Sequence, residues 1–310
     1  MIDNRTILVT GGAGFIGSHL VDRLAHKARV VVLDNLLYGD RENLAGAPHE
    51  FIEDDIVTVD LDALMGDYNI DLVFHLATYH LDDSLRDPMT DFTVTAQGGM
   101  RLLEACRKRK IQRLVYASSG SVYGEPDTMG HDEAHALLPT TPYGTSKTVI
   151  DHYCRIYGDL YGLDCVRLRY YNVYGPRRTA GAIPKFILTA LAGATIRIEG
   201  GAQTRTPTNV DDIVEATIRA AEIPQARGEA FNLAAAEAVS VLDMAKRIVA
   251  LCGTEDSVAF ELTDYRPGEI MHLRPDVAHA KSVLGWEAAI TLDDGLSGLI
   301  EHLREHGPST

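Results

Sequence analysis

A serine, a tyrosine and a lysine in the middle of the chain have the types and spacing needed for acid–base chemistry. Ser119 lies within residues 118–124, and Tyr143 and Lys147 follow it, four residues apart. Residues four apart share one face of a helix, so the phenol and the ammonium group can point into one pocket. A neighbouring ammonium group favours the phenolate, so we expect Lys147 to lower the pKa of Tyr143. The set predicts hydride chemistry at an alcohol carbon.

A glycine-rich segment near the start of the chain predicts a dinucleotide-binding site. Gly11, Gly14 and Gly17 follow a β-branched run at residues 6–10 and precede a helical pattern. Glycines at these places permit a tight turn, a close approach of the backbone to a pyrophosphate, and packing of the helix on the strand. The N-terminus of the helix would then present its N–H groups to the anion.

Asp34 indicates which dinucleotide this would be. It ends the second β-branched run, 20 residues after Gly14 (34 − 14), where a carboxylate can accept hydrogen bonds from both adenosine ribose hydroxyls. Its charge would repel a 2′-phosphate, so NAD is favoured over NADP. The alternative is that Asp34 is an ordinary turn residue at the end of a strand.

The elements that position these residues follow from the apolar pattern. Short apolar runs at residues 6–10, 29–34, 72–76, 113–117 and 165–169 alternate with segments of helix length. This alternation predicts βαβ units and a doubly wound parallel sheet. After Asn172 the regularity ends and Gly and Pro become frequent, which indicates a smaller second lobe formed by the C-terminal part.

Composition and charge exclude several classes of function. Hydrophobic residues make up 45% of the 310, which is ordinary for a soluble enzyme, and the net charge of −15 argues against general nucleic-acid or acidic-membrane binding. The four cysteines lack metal-site spacing, no apolar run reaches membrane-spanning length, and no signal-peptide pattern is present. We therefore expect a cytoplasmic protein without metal, nucleic acid or membrane as a partner.

The chain resembles the extended short-chain dehydrogenase/reductase superfamily, specifically its nucleotide-sugar epimerase/dehydratase group. The resemblance covers nearly the whole chain and rests on the motifs above and on residues 55–56, 75–77, 169–176, 210–213 and 266–269. It implies an α/β fold, a Rossmann doubly wound parallel sheet with a smaller C-terminal substrate-binding lobe. We expect residues 1–168, with a returning segment near 207–235, to form the NAD-binding domain. Residues 169–206 and 236–310 would form the nucleotide-sugar-binding lobe.

The resemblance also implies a role for individual residues. Ser119 would hydrogen-bond the reacting sugar hydroxyl, Tyr143 would be the acid/base, and Lys147 would bind the nicotinamide ribose and tune Tyr143. The predicted cofactor contacts, besides Tyr143 and Lys147, are Gly11, Gly14, Phe15, Ile16, Gly17, Asp34, Asn35, Asp55, Ile56, Leu76, Ala77 and Tyr171. The predicted substrate contacts are Ser119, Ser121, Asn172, Arg205 and Arg266. For the two arginines, a surface ion pair is the alternative.

The residues after Ser119 discriminate between the reactions of this group, which begin with hydride transfer from the sugar to NAD⁺. The 4,6-dehydratases have an acidic pair where this chain has Gly120 and Ser121, and the related decarboxylases keep a glutamate at the position of Ser121. A 4-epimerase needs no extra acid. The resemblance therefore favours a nucleotide-sugar 4-epimerase that acts on a UDP-hexose or a UDP-N-acetylhexosamine.

Several alternatives remain open. One is a dehydratase, or a UDP-glucuronate decarboxylase or epimerase, although Thr179 stands where UDP-glucuronate 4-epimerases have an arginine. Another is a non-catalytic NAD-sensing protein on the same fold. The chain also departs from the family pattern at Thr95, at residues 206–209 and at His80, which is either a substrate contact or an ordinary loop residue. We expect a homodimer formed through the helix that begins near Tyr143 and the one near residues 99–106.

Overall fold

A parallel sheet of seven strands forms the centre of the protein. The structure is a computed structural model, and it describes residues 2–126, 130–266 and 268–307; Pro267, part of the motif that begins at Arg266, lies outside them. The strands are β1 Thr6–Thr10, β2 Arg29–Asp34, β3 Glu50–Glu53, β4 Leu72–His75, β5 Arg113–Ser119, β6 Cys165–Tyr170, β7 Val173–Tyr174, β8 Ile196–Glu199, β9 Thr204–Arg205, β10 Thr208–Asn209, β11 Ala230–Leu233, β12 Val239–Ser240 and β13 Phe260–Thr263. The order in the central sheet is β11-β6-β5-β4-β1-β2-β3.

Helices connect these strands. They are α1 Phe15–Leu24, α2 Leu61–Tyr68, α3 Leu81–Ser84, α4 Pro88–Asp91, α5 Gly98–Arg109, α6 Pro142–Tyr161, α7 Ala182–Leu191, α8 Val210–Glu222, α9 Val241–Cys252, α10 Ala278–Leu284 and α11 Leu292–His306. A π-helical segment, Phe92–Gln97, leads into α5. Within the described ranges, no helix is both long enough and apolar enough to cross a membrane.

Both faces of the sheet are covered by helices, which explains the nearly continuous apolar runs of its strands. On one face, α1, α8 and α10 contribute buried side chains such as Leu20, Ile213 and Leu284 to a single hydrophobic cluster. On the other face, α2, α5 and α6 contribute Leu64, Leu102 and Ile150 to a second cluster. Helices on both faces of a parallel sheet define the doubly wound architecture, so the predicted Rossmann-type α/β fold is confirmed.

The C-terminal part of the chain forms short two-stranded sheets and a hydrophobic cluster of its own. Strand β8 pairs in parallel with β13, and β9 pairs antiparallel with β12. Helices α7, α9 and α11 share a cluster that includes Ile187, Ile248 and Leu296. Strand β11, which lies within the predicted returning segment 207–235, joins the edge of the central sheet beside β6. The residue limits of the two domains remain a prediction.

The carboxyl ends of the parallel strands bring the predicted site residues to one edge of the sheet. Strand β1 ends at Thr10, directly before the glycine turn, and β5 ends at Ser119. Helix α6 starts at this edge, where the Thr141 hydroxyl caps it by accepting a hydrogen bond from the Gly144 N–H at 3.1 Å. Ligands of open α/β sheets bind outside these strand ends.

Candidate active site

The structure brings Ser119, Tyr143 and Lys147 together around one cavity. Ser119 is the last residue of β5, Tyr143 is the second residue of α6, and Lys147 lies one turn further along that helix. All three line a cavity of about 390 Å³. The Lys147 Nζ donates a hydrogen bond to the Ala117 carbonyl oxygen at 2.7 Å and lies 5.7 Å from the centre of the Tyr143 ring. As their spacing predicts, the Tyr143 phenol and the Lys147 ammonium group lie on one face of α6 and line the same cavity.

The pKa values of Tyr143 and Lys147 differ from the expectation. Burial raises the pKa of Tyr143 to about 12, against the opposing effects of a hydrogen bond with Ser119 and the charge of Arg178. Burial also lowers the pKa of Lys147 to about 7, although the Asp91 carboxylate raises it. The expectation that Lys147 lowers the phenol's pKa is not met, because burial raises the pKa of Tyr143 and the groups that lower it are Ser119 and Arg178, not Lys147.

At the two positions after Ser119, where a dehydratase has an acidic pair, this chain has Gly120 and Ser121. A Cβ atom added at Gly120 would lie 2.6 Å from the Tyr171 ring, so no side chain fits there without movement. Ser121 lines the cavity, and its backbone N–H donates to the Ser119 Oγ at 3.1 Å. The Ser119 Oγ also donates to the Ser121 Oγ at 3.2 Å. Two hydroxyl groups, and no carboxylate, thus stand beside the phenol at these positions.

The glycine turn forms the other end of the same cavity. A Cβ atom at Gly17 would lie 2.1 Å from the Gly11 carbonyl oxygen, and one at Gly11 would lie 2.6 Å from the Ala77 nitrogen. Gly11 also has a positive φ of 71°, so glycine is required for this turn. Ten of the predicted cofactor residues line the cavity here: Gly11, Gly14, Phe15, Ile16, Gly17, Asp34, Asn35, Ile56, Leu76 and Ala77. The turn therefore offers the bare backbone cradle that a pyrophosphate requires.

Asp34 is placed to receive a ribose. Its Oδ2 accepts a hydrogen bond from the Ala13 N–H at 2.9 Å, and its Oδ1 accepts one from the Leu36 N–H at 2.8 Å. These contacts fix the carboxylate at the wall of the cavity and use one lone pair of each oxygen. The remaining lone pairs can accept the two hydroxyls of an adenosine ribose, so the residues present fit NAD.

Two predicted cofactor residues do not reach the cavity. The Asp55 carboxylate instead accepts hydrogen bonds from the Asn35 side-chain amide and the Val57 N–H, both at 2.8 Å, while Asp54 lines the cavity. Tyr171 is fully buried, and its hydroxyl lies 2.9 Å from the His131 Nε2. Successive residues at the end of a strand point to opposite sides, so Tyr170, one position earlier, lines the cavity instead.

The predicted substrate residues lie at the other side of Ser121. Asn172 and Ser121 line both the main cavity and a smaller adjoining one of about 80 Å³, in which Arg205 and Arg266 also lie. Both arginines contact one carboxylate, that of Glu269, and the Arg266 Nε–Glu269 Oε2 distance is 2.6 Å. The Arg205 and Glu269 side chains are only 11% and 6% exposed, so for Arg205 this is not the surface ion pair considered as the alternative. Arg266 is 38% exposed and also contacts the exposed Asp82 at 3.4 Å, so for Arg266 that alternative stays open.

The comparison with known proteins agrees with this arrangement. The model of the NAD dependent epimerase/dehydratase family matches residues 7–234.

The chain belongs to this family. It is 38% identical over 309 residues to the UDP-glucose 4-epimerase of Mycolicibacterium smegmatis, a match that covers 96% of this chain and 98% of that protein. The UDP-glucose 4-epimerase of Thermus thermophilus, solved with NAD, has a TM-score of 0.90 and 32% identity, covering 97% of this chain and 99% of that one. The UDP-glucuronic acid 4-epimerase of Bacillus cereus, solved with UDP-glucuronic acid and NAD, has the same TM-score and coverage and 31% identity. NAD is the cofactor of this enzyme family and of this chain.

Where the chain departs from the family pattern, a buried carboxylate lies behind the site. Thr95 is 1% exposed; its Oγ1 accepts a hydrogen bond from the Tyr79 N–H at 3.0 Å and donates to Asp91 Oδ1 at 3.1 Å. The other oxygen of Asp91 accepts a hydrogen bond from the Ser146 hydroxyl at 2.6 Å. Asp91 therefore links Thr95 to the residue before Lys147. In the sequence, only the departure from the family pattern at Thr95 pointed to this buried carboxylate.

Sequence reasoning also missed a group of residues at the wall of the cavity. His80 stacks on Tyr38, with 3.6 Å between ring centroids, and the Tyr38 hydroxyl donates to Asp83 at 2.7 Å. His80, Tyr38 and Arg178 all line the cavity. Only His80 carried a signal, because it departs from the family pattern. Among the described residues, no group of three His, Cys, Asp or Glu side chains could hold a metal ion.

Proposed function

We propose that the protein is an NAD-dependent nucleotide-sugar 4-epimerase that inverts C4 of a UDP-hexose or UDP-N-acetylhexosamine through a transient 4-keto intermediate. The observation that carries this proposal is the single cavity that joins the glycine turn and Asp34 to Ser119, Tyr143 and Lys147, with no carboxylate at positions 120 and 121. The two relatives described as UDP-glucose 4-epimerases support the same reaction.

The protein side chains would move one proton between the sugar and the enzyme. Tyr143 would take the proton from O4 of the sugar and return it later, while the Ser119 hydroxyl holds O4 by a hydrogen bond. Bound NAD would supply the hydride chemistry at C4, and the positive charge of its nicotinamide ring would favour the phenolate form of Tyr143. That charge is needed because burial alone keeps the Tyr143 phenol protonated, with a pKa of about 12.

Inversion requires the keto sugar to turn within the site, so binding must come mainly from the nucleotide diphosphate. Arg205 and Arg266 are suitable, because a guanidinium fork matches phosphate oxygens. Both contact Glu269. Substrate binding would therefore exchange one carboxylate partner for a diphosphate.

The test is proton NMR of UDP-glucose, UDP-N-acetylglucosamine and UDP-glucuronate, each incubated with the purified protein and catalytic NAD. We expect the C4 epimer of at least one of the first two, and none when Tyr143→Phe replaces the wild type. If no C4 epimer forms from either of the first two while NAD remains bound, the proposal is wrong for these sugars, and an epimer of UDP-glucuronate alone would establish the UDP-glucuronate epimerase alternative. A 4-keto-6-deoxy product or released carbon dioxide would establish the dehydratase or the decarboxylase alternative.

We also propose that the enzyme is a homodimer. Large apolar side chains are exposed on α6 and before α5, which supports an interface there: Leu160 is 69% exposed, Tyr161 55%, Met89 72% and Phe92 52%. Light scattering should give about twice the chain mass of 33.9 kDa. A mass near that of a single chain would contradict this proposal.

A further inference from the structure

Arg178 is an arginine at the wall of the cavity that has no carboxylate partner among the residues the structure describes. It lies in the loop between β7 and α7 and lines the cavity. The one hydrogen bond found for its guanidinium runs from the Nε to the Ala180 carbonyl oxygen, at 2.7 Å. The preceding arginine, Arg177, differs, because it pairs with Asp22 at 2.7 Å.

The guanidinium of Arg178 faces the region between the glycine turn and the catalytic tyrosine. It lies 5.5 Å from the centre of the Phe15 ring, and Phe15 is the first residue of α1. Its charge lowers the pKa of Tyr143 and also the pKa of His80. Asp82, the carboxylate whose charge raises the pKa of Arg178, contacts Arg266 at 3.4 Å instead.

The guanidinium of Arg178 has donors to offer to a ligand in the cavity. Arginine has five N–H donors, and the only protein acceptor found for Arg178 within the described residues is the Ala180 carbonyl oxygen, which takes the Nε. The side chain is half-buried, and burial lowers its pKa. In a ligand cavity the matching acceptor is an oxyanion of the ligand, because phosphate and carboxylate oxygens fit the arginine fork. The protein has a net charge of −15, so an anionic ligand needs such a local cation.

We propose that Arg178 binds an oxyanion of a ligand in this cavity, either a diphosphate or the carboxylate of an acidic sugar. The proposal rests on the proposed function for the identity of the sugar nucleotide. A carboxylate would add a UDP-uronate to the ligands that the site accepts, and Arg178 would then supply the cation that Thr179 does not. A diphosphate would make Arg178 a contact to NAD or to every UDP-sugar.

The experiment measures affinities rather than turnover, so it is independent of whether epimerisation occurs. Calorimetry would give the Kd of NAD for NAD-free protein, and the Kd of UDP, UDP-glucose and UDP-glucuronate for the NAD-bound Tyr143→Phe variant. The same constants are measured with Arg178→Met and Arg178→Lys added. Arg197→Met is the control, because Arg197 is exposed, pairs with Glu261 on β13 and lies outside the cavity lining.

Loss of a charge-assisted pair should weaken the affected ligand about 10- to 100-fold in Arg178→Met. If only NAD binds more weakly, Arg178 binds the diphosphate of the dinucleotide. If UDP and both UDP-sugars bind more weakly by the same factor, Arg178 binds the diphosphate of the sugar nucleotide. If only UDP-glucuronate binds more weakly, Arg178 binds the carboxylate of the sugar. Affinities within twofold of those of the Arg197→Met control for all four ligands would overturn the proposal. If Arg178→Met fails to fold, Arg178→Lys decides in the same way, because lysine keeps the charge but not the fork.

Discussion

Lys147→Met should make the NAD-free protein more stable at neutral pH, although it removes a candidate catalytic group. The Lys147 side chain is 1% exposed, and burial lowers its pKa from 10.5 to about 7. Between these two values the unfolded chain holds a proton that the folded protein lacks. The free energy of unfolding therefore rises with pH across this window, by about 1.4 kcal/mol per pH unit at most.

Below pH 7 both states hold the proton, and the folded protein bears the full cost of a buried charge, about 5 kcal/mol. Methionine avoids this cost but loses the hydrogen bond from Nζ to the Ala117 carbonyl oxygen, worth about 1 kcal/mol. We expect Lys147→Met to raise the free energy of unfolding by about 2 to 4 kcal/mol at pH 6.5. The gain should shrink as pH rises and disappear near pH 10.

Urea unfolding followed by circular dichroism, at half-unit steps from pH 6.5 to pH 10, measures this difference. NAD must be removed first, because a ligand that binds only the folded state stabilises it. Lys246→Met is the matched control; this lysine is 56% exposed and its replacement should change little at any pH. A Lys147→Met protein less stable than wild type at pH 6.5, or a difference independent of pH, would refute the reasoning. The buried ammonium would then be fully compensated by its surroundings.

Three further substitutions test other parts of the structure. Tyr143→Phe should lower kcat about 10²- to 10⁴-fold with the calorimetric Kd of NAD little changed; wild-type turnover in the NMR assay would exclude Tyr143 as the acid/base. Gly17→Ala places a Cβ 2.1 Å from a backbone oxygen and should weaken NAD binding at least tenfold, whereas Gly298→Ala, which meets no atom within 4 Å, should not. Arg169→Met removes two of the hydrogen bonds to the buried Asp151 carboxylate, of 3.0 and 3.1 Å, keeps the one from the Ser118 hydroxyl at 2.9 Å, and should cost about 3 to 5 kcal/mol in urea unfolding. A loss below about 1 kcal/mol would show that Ser118 and Arg167, the latter 3.7 Å from the same carboxylate, suffice.

The central sheet and the meeting of Ser119, Tyr143 and Lys147 at one cavity could be predicted because they depend on short-range patterns. Apolar runs separated by helical segments leave few arrangements besides a parallel sheet, and the carboxyl ends of its strands meet at one edge. Ser119 follows from the end of β5, and the spacing of Tyr143 and Lys147 follows from the helix itself. The glycine turn is equally local, since the required positive φ at Gly11 is set within a few residues.

The remaining features depend on contacts that sequence spacing does not determine. Whether Tyr170 or Tyr171 faces the cavity is decided by the alternation of sides at the end of β6. The raised pKa of Tyr143 follows from burial, a tertiary property that the spacing of Tyr143 and Lys147 does not determine. Arg177 pairs with the Asp22 carboxylate, and Arg178 lines the cavity instead. The sequence does not show which of these two neighbouring arginines forms the ion pair. Motifs give the types of residue at this site, and packing gives their charge states and directions.

The position of β11 has a consequence for the synthesis of the chain. Strand β6 ends at Tyr170, but its outer neighbour β11 begins only at Ala230, about 60 residues later. At roughly 5 to 20 residues per second, a ribosome leaves the β6 edge unpaired for about 3 to 12 seconds. Such an edge can recruit another nascent chain, and charged side chains on a strand discourage this. Arg167 and Arg169 lie on β6 beside a carboxylate of α6, which is translated first, so the unfinished sheet carries its own protection against aggregation.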